Sequence, residues 1–96
     1  PTPDFHPENL ETLLRKVMFS EQVAHPHIKY YLTNTATNTQ LLADAAQLSR
    51  AFTNLLKNAA EAIESQMEHA QKDKIGAIEL SITNADNALE LTITDN

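Results

Sequence analysis

The segment from residue 44 to residue 68 constrains the fold most, because its apolar residues keep helical spacing over the longest stretch of the chain. It opens with Asp44 and Gln47, which match a capping box, the sequence signature of a helix start. Apolar residues then recur three and four positions apart, which places them along one face of an amphipathic helix. We predict that this face is buried and consists of Leu48, Ala51, Phe52, Leu55, Leu56, Ala59, Ala62 and Ile63.

A second amphipathic helix is predicted over residues 8–23. Its apolar residues follow the same helical spacing, at Leu10, Leu13, Leu14, Val17 and Met18. Pro26 breaks the pattern, because the residue before a proline disfavours the helical conformation. The prolines at positions 1, 3 and 7 exclude a helix over residues 1–7, which we interpret as a linker or a short edge strand.

Two short strands are predicted between the helices. Residues 28–33, "IKYYLT", alternate between the two faces of a strand,. The polar residues 34–39 form either a loop or the tip of a hairpin. They lead to a short strand around residues 40–43, "QLLA".

The end of the chain predicts a β-hairpin. Residues 77–82 and 88–94 both alternate, with one apolar face made of Ile78, Leu80, Ile82, Leu89, Leu91 and Ile93,. Residues 84–87, "NADN", have turn chemistry, and residues 70–76, "AQKDKIG", form a linker. Two helices and a mostly antiparallel sheet with one apolar face predict a two-layer α+β sandwich.

Composition narrows the classes of function. The formal net charge of −6 argues against a nucleic-acid backbone or an anionic membrane as the main partner,. Cysteine is absent, which excludes disulfides and thiolate metal sites,. One glycine in 96 residues cannot supply the glycine-rich loops that cradle a triphosphate,. The chain lacks an initiator methionine and ends inside a predicted strand, so we expect a piece of a longer protein.

One polar arc on the long helix is a candidate site. Asn54, Asn58, Glu61 and Ser65 fall within an arc of about 60° that borders the apolar face,. Such an arc is either a solvated surface or a ligand face, and carboxamide oxygens suit a hard cation such as Mg²⁺. Asp95 follows the last strand, where it forms either a turn or part of a site.

Other side chains carry weaker signals. His25 and His27 flank Pro26 without an evident third ligand, which favours turn or surface histidines over a metal pair,. His6 and His69 are isolated in the sequence. No nucleophile elbow occurs, so a Ser–His–Asp arrangement is not indicated.

Taken together, "DAAQLSRAFTNLLKNAAEAI" and "IELSITNADNALELTITDN" resemble the ATP-binding domain of sensor histidine kinases. The first segment is similar to the family's N box, an aspartate, a leucine four residues on, then N-L-x-x-N-A. The closing "TDN" resembles the start of the D-x-G-x-G box, and Phe5, Pro7 and Leu10 match the segment that leads out of the dimerisation helices. "KNAAEAI" and "SEQVAHPHIKY" are most similar to nitrogen-regulation kinases of the NtrY type.

The resemblance implies a specific domain organisation. Residues 1–7 would be the linker from the dimerisation domain, and residues 8–96 a partial ATP-binding domain. The N box would span residues 44–63, and the D-x-G-x-G box would start at residues 95–96. The implied fold is the ATPase fold (GHKL) shared with gyrase, MutL and the Hsp90 chaperone, truncated before the glycine boxes and the lid.

The resemblance also assigns roles to individual side chains. Asn58 would coordinate the Mg²⁺ that bridges the ATP phosphates, with Asn54 and Lys57 on the phosphate side. Asp95 would accept a hydrogen bond from the adenine amino group. Many family members carry a basic residue where this chain has Glu61, so no second phosphate contact is implied there.

The implied activity is that of a histidine protein kinase. ATP and Mg²⁺ would be its cofactors, and its partners would be the phosphoacceptor domain of the same protein and a response regulator. The family's phosphoacceptor motif is absent from the chain, so no catalytic residue is assigned and this stretch alone is expected to be inactive. The domain would be cytoplasmic and bacterial, in a protein whose other parts could include an inner-membrane anchor. The apolar face and open strand edge at the end of the chain predict self-association.

Two alternatives remain open from the sequence. One is an ATPase of the MutL or chaperone type, but the base that activates water in those families would stand at Asn54. A non-catalytic α+β interaction module, whose asparagines merely face solvent, is the other.

Overall fold

The structure is a computed structural model that describes residues 2–69, 76–85 and 88–95. Its elements in chain order are β1 (His6–Asn9), α1 (Leu10–Ala24), β2 (Ile28–Asn34), β3 (Gln40–Ala43), α2 (Ala45–His69), β4 (Gly76–Ala85) and β5 (Ala88–Asp95). Both helices share one hydrophobic core with the inner face of a three-stranded sheet. The predicted two-layer α+β sandwich is therefore confirmed. Most of the predicted 70–76 linker, part of the 84–87 turn and residue 96 lie outside the described residues.

The main sheet has the order β2–β4–β5. The β4–β5 pair is antiparallel, as the alternation predicted, and its register runs from Ile78 opposite Asp95 to Ala85 opposite Ala88. The β2–β4 pair is parallel, with Ile28 opposite Gly76. Strand alternation directs the apolar side chains of β4 into the core, where Ile78, Leu80 and Ile82 are buried,. Their β5 counterparts Leu89, Leu91 and Ile93 are partly buried against the same core.

The second sheet is small and contains β1 and β3. The two strands are antiparallel, with His6 opposite Ala43 and Asn9 opposite Gln40. The alternative that made residues 34–39 a hairpin tip is therefore wrong, because β2 and β3 pair with different strands. The loop instead runs along the far end of β4, where the backbone N–H of Thr35 donates to the Ile82 carbonyl over 2.9 Å.

Helix α1 begins two residues later than the sequence predicted. Asn9 is its N-cap, in an extended backbone conformation, and its side chain accepts a hydrogen bond from the Thr12 N–H at 3.0 Å,. Pro7 lies in β1, in agreement with the short edge strand that was one of the two interpretations of residues 1–7. The helix ends at Ala24, just before Pro26, as expected.

Helix α2 begins where the sequence predicted, because the Gln47 N–H donates to Asp44 Oδ1 at 3.1 Å. Its buried face is narrower than predicted, and its buried members are Phe52, Leu56, Ala60 and Ile63. Leu48 and Ala59 are partly buried. The prediction was wrong for Ala51, Leu55 and Ala62, which are exposed. These three residues lie on the side of α2 that the described elements do not cover. No helix among the described residues is long and apolar enough to cross a membrane.

Candidate functional site

The polar arc of α2 is an accessible surface. Its two asparagines, Asn54 and Asn58, are exposed, Lys57 beside the arc is exposed as well, and Leu55 is 51% exposed. The two asparagines lie one turn apart, about 6 Å along the helix axis. Leu56 on the opposite face is fully buried, so the backbone that carries this arc is anchored in the core. The arrangement therefore presents two carboxamides from a fixed support to the solvent.

Asp95 lies at the end of the main sheet that packs against the second half of α2. Its Cα partner in β4 is Ile78, two residues after Gly76. A Cβ built on Gly76 would lie 2.4 Å from Cγ2 of Ile63, which places this end of the sheet directly below Ile63. Ile63 follows Asn58 by five residues, roughly 7.5 Å along the helix.

The described pockets do not join these predicted residues into one cavity. Within residues 2–69, 76–85 and 88–95, none of the three described pockets is lined by Asn54, Lys57 or Asn58. The arc is an open helix face, beside a side of α2 that is apolar at Leu55. The shape of this open face is compatible with a polar ligand, but it does not determine which ligand binds.

Asp44 has more contacts than the predicted cap required. Its backbone carbonyl accepts from the Leu48 N–H at 2.9 Å, and its Oδ2 accepts from the Asp4 N–H at 2.9 Å. The hydrogen bonds from the Asp4 and Gln47 backbones lower the pKa of this carboxyl below its ordinary value,. The sequence signalled the cap, but no local pattern could show the contact with residue 4.

A partly buried polar cluster joins the C-terminal end of α1 to α2. His25 Nδ1 lies 3.0 Å from Glu64 Oε2, and His25 Nε2 lies 3.8 Å from Glu21 Oε1. The sequence favoured turn or surface histidines, and His25 directly precedes the turn at residues 26–27, although its side chain is only 15% exposed. Burial, followed by the charges of Glu21 and Glu64, raises the pKa of Tyr30 to about 12. Within the described ranges, no group of three or more His, Asp or Glu side chains is arranged to hold a metal ion.

Comparison with known sequences extends the resemblance over the whole chain. No model of a known protein family matches. The chain is 29% identical over 96 residues to an NtrY-like sensor histidine kinase of Rickettsia conorii. The alignment covers all of this chain and 15% of that relative, so the chain spans a small part of the curated proteins it matches.

Comparison with solved structures defines the class of fold. The mycobacterial sensor histidine kinase MprB superposes with a TM-score of 0.75 at 22% identity, covering 96% of this chain and 55% of that one. The catalytic domain of histidine kinase ThkA gives 0.72 at 19% identity, covering 97% and 57%. A structure of ThkA in complex with the response regulator TrrA also matches, with a TM-score of 0.71 at 20% identity, covering 96% and 25%.

The chain thus has the fold of a histidine kinase catalytic domain. The sequences that it resembles over its full length are NtrY-like sensor histidine kinases, which confirms the resemblance recognised from the N box.

Proposed function

We propose that this chain is the ATP-binding part of a sensor histidine kinase of the nitrogen-regulation type. In the intact protein it would hold Mg·ATP while a histidine on a separate helical domain attacks the γ-phosphate. The phosphoryl group would then pass to a response regulator. The observation that carries this proposal is the pair of exposed asparagines, Asn54 and Asn58, on the core-anchored helix of a fold shared with histidine kinase catalytic domains.

The proposed roles follow from the chemistry of the side chains. Asn58 would give its carboxamide oxygen to Mg²⁺, a hard cation that prefers oxygen ligands. Asn54 and Lys57 would face the phosphates, and Asp95 would accept from the adenine amino group. In phosphoryl transfer the protein mainly positions the reactants and stabilises charge, so a rigid helix suits the task.

Two other functions are compatible with the same fold class. An ATPase of the MutL or chaperone type would need a general base for water, and this chain has Asn54 at the corresponding position. A non-catalytic interaction module would use the arc only as a solvated surface. The relatives and structural neighbours that match are histidine kinases, which favours the kinase.

The test is Asn58→Ala in the intact protein. We expect weaker binding of Mg·ATP by roughly 10- to 150-fold, the equivalent of about 1.5–3 kcal/mol for one lost ligand contact. The fold should survive, because Asn58 is exposed and its truncation opens no cavity in the core. Isothermal titration calorimetry measures the affinity, and circular dichroism checks the fold.

Ser65→Ala is the matched control, since Ser65 lies in the same arc and is also exposed. It should leave the affinity unchanged. Equal affinities for Asn58→Ala and the parent protein would refute the assignment of Asn58. Absence of Mg·ATP binding by the parent protein would favour the interaction module.

A further inference from the structure

The N-terminal segment, residues 4–9, is attached to the start of α2. Its strand β1 pairs with β3 in a register that ends at His6 opposite Ala43. Continued pairing would bring Asp4 level with residue 45, where the chain has already turned into α2. A helical backbone cannot extend a β-ladder, because it rises only about 1.5 Å per residue and its N–H and C=O groups point along the helix axis instead of sideways toward a neighbouring strand.

Where the β1–β3 pairing ends, the Asp44 side chain provides the next hydrogen-bond acceptor for the N-terminal segment. Its Oδ2 accepts the hydrogen bond from the Asp4 N–H at 2.9 Å, while its Oδ1 accepts from the Gln47 N–H at 3.1 Å. One carboxylate therefore joins the backbone of Asp4 in the N-terminal segment to the first turn of α2. The bond from Asp4 is the largest of the influences that lower the pKa of Asp44, so the carboxylate form is the one favoured here,.

The other contacts of residues 4 and 5 restrain the segment less. Phe5 lines an open groove of about 260 Å³ together with Leu48 and Ala51 of α2. Phe5 is 58% exposed, so its packing leaves the direction of the segment loosely defined. The Asp4 side chain bonds the His6 ring, which lies within the same segment. Among these contacts, only the bond to Asp44 ties Asp4 directly to the helix.

We infer that Asp44 is a positioning residue, which fixes the direction in which the N-terminal segment leaves the start of the helix that carries Asn54 and Asn58. This inference rests on the proposed function and on the domain organisation that the resemblance implies, in which residues 1–7 would lead from the helical domain that bears the phosphoacceptor histidine. Asp44 then sets where the histidine meets the γ-phosphate, without contacting the nucleotide itself. Reacting atoms must approach to about 3–3.5 Å, and a misplacement of about 1 Å can cost 10²-fold in rate.

Asp44→Asn separates the two duties of the side chain. Asparagine caps helices about as well as aspartate, so its oxygen can still accept from the Gln47 N–H. Its amide nitrogen is a donor, and it would face the Asp4 N–H without forming a bond. Asp4→Pro removes the same bond from the other side, because proline has no N–H. Asp4→Ala is the matched control, since it loses the side chain but keeps the N–H.

The experiment measures two quantities on the intact protein, the affinity for Mg·ATP and the rate of histidine phosphorylation at saturating Mg·ATP. We expect Asp44→Asn and Asp4→Pro each to lower the rate by roughly 10- to 100-fold. The affinity should change by less than about twofold, and Asp4→Ala should match the parent protein in both quantities. The double variant Asp44→Asn with Asp4→Pro should phosphorylate no more slowly than either single variant, because the two substitutions remove the same hydrogen bond.

Other outcomes would overturn the inference. If Asp44→Asn weakened nucleotide affinity as much as it slowed phosphorylation, Asp44 would act on the helix alone. A normal rate in Asp4→Pro would show that the bond has no role in positioning. Failure of the proposed function gives a different result, because the parent protein itself would then bind no Mg·ATP.

Discussion

Gly76 is a point of close approach between β4 and α2. A Cβ built on this residue would lie 2.4 Å from Cγ2 of Ile63 and 3.5 Å from Cγ1 of Ile28. Carbon atoms pack best at about 3.5–4.0 Å, so the first distance is a severe overlap. Ile63 is 3% exposed and Ile28 is fully buried, which leaves neither side chain room to move aside. We therefore expect Gly76→Ala to destabilise the protein.

The magnitude follows from two opposing effects. Overpacking of a close-packed core costs about 1–3 kcal/mol. Replacing glycine by alanine also restricts the unfolded chain, which returns about 0.4–1 kcal/mol where the backbone accepts alanine. The backbone of Gly76 is not in the left-handed region, so this gain applies. The net loss in free energy of unfolding should be about 1–2 kcal/mol.

Urea unfolding followed by circular dichroism measures this loss, and a second variant tests its cause. Ile63→Leu removes the Cγ2 methyl group that a new Cβ would strike, at a cost below about 1.5 kcal/mol for a volume-conserving exchange. The double variant Gly76→Ala with Ile63→Leu should be more stable than the sum of the two changes predicts. Simple additivity, or a Gly76→Ala protein as stable as its parent, would refute the close approach of β4 and α2.

Three further predictions test the core, the carboxylates and the proposed site. Leu56→Ala should cost about 2–5 kcal/mol in unfolding free energy because Leu56 is fully buried, whereas its half-exposed neighbour Leu55→Ala should change it by less than about 0.5 kcal/mol,. Hydrogen bonds lower the pKa values of Asp44 and Glu11 in the folded protein. The stability that these carboxylates contribute is therefore present above their unfolded pKa values and is lost as the pH falls through their folded pKa values. Between pH 6 and pH 3 the urea midpoint of Asp44→Asn should fall less than that of the parent protein. In the intact protein, Asp95→Asn should reduce the preference for ATP over GTP, because a carboxylate repels the guanine carbonyl; unchanged competition by GTP would exclude base reading by Asp95.

Strong local periodicity explains what the sequence predicted correctly. The apolar residues of α1 and α2 recur over several turns, and the predicted cap at Asp44 sets where α2 begins,. The β4–β5 hairpin has strict alternation in both strands, so a shift of register by one residue would expose its whole apolar face. In these elements, local sequence and tertiary packing favour the same structure.

The second sheet and the parallel pairing could not be predicted in this way. Strands β1 and β3 have four residues each, too few for alternation to define a face, and β1 contains Pro7. The partner of β2 is β4, more than forty positions later, with all of α2 between them. Pairing at such separations is decided by which elements share the core, and no local pattern contains that information.

The exposed side of α2 shows a similar limit. A helical wheel treats Ala51, Leu55 and Leu56 as parts of one apolar face, but only Leu56 contacts the core. The width of the buried face depends on where α1 and the sheet touch the helix, which is a tertiary property. Within the part of the chain that the structure describes, β5 pairs with β4 alone, and the self-association expected at its other edge stays a prediction.

The candidate site depends on contacts that lie away from it. Because the face carrying Asn54 and Asn58 points to solvent, it buries no surface that could hold the helix in place. The restraint comes instead from the buried face and from two polar links, at Asp44 in the first turn and at Glu64 to His25 near the end. A binding group must be held within a fraction of an ångström by the residues that support it. The links at Asp44, Glu64 and His25 lie outside the polar arc, and they join residues that are about 40 positions apart in the chain, so no local sequence pattern could show these contacts.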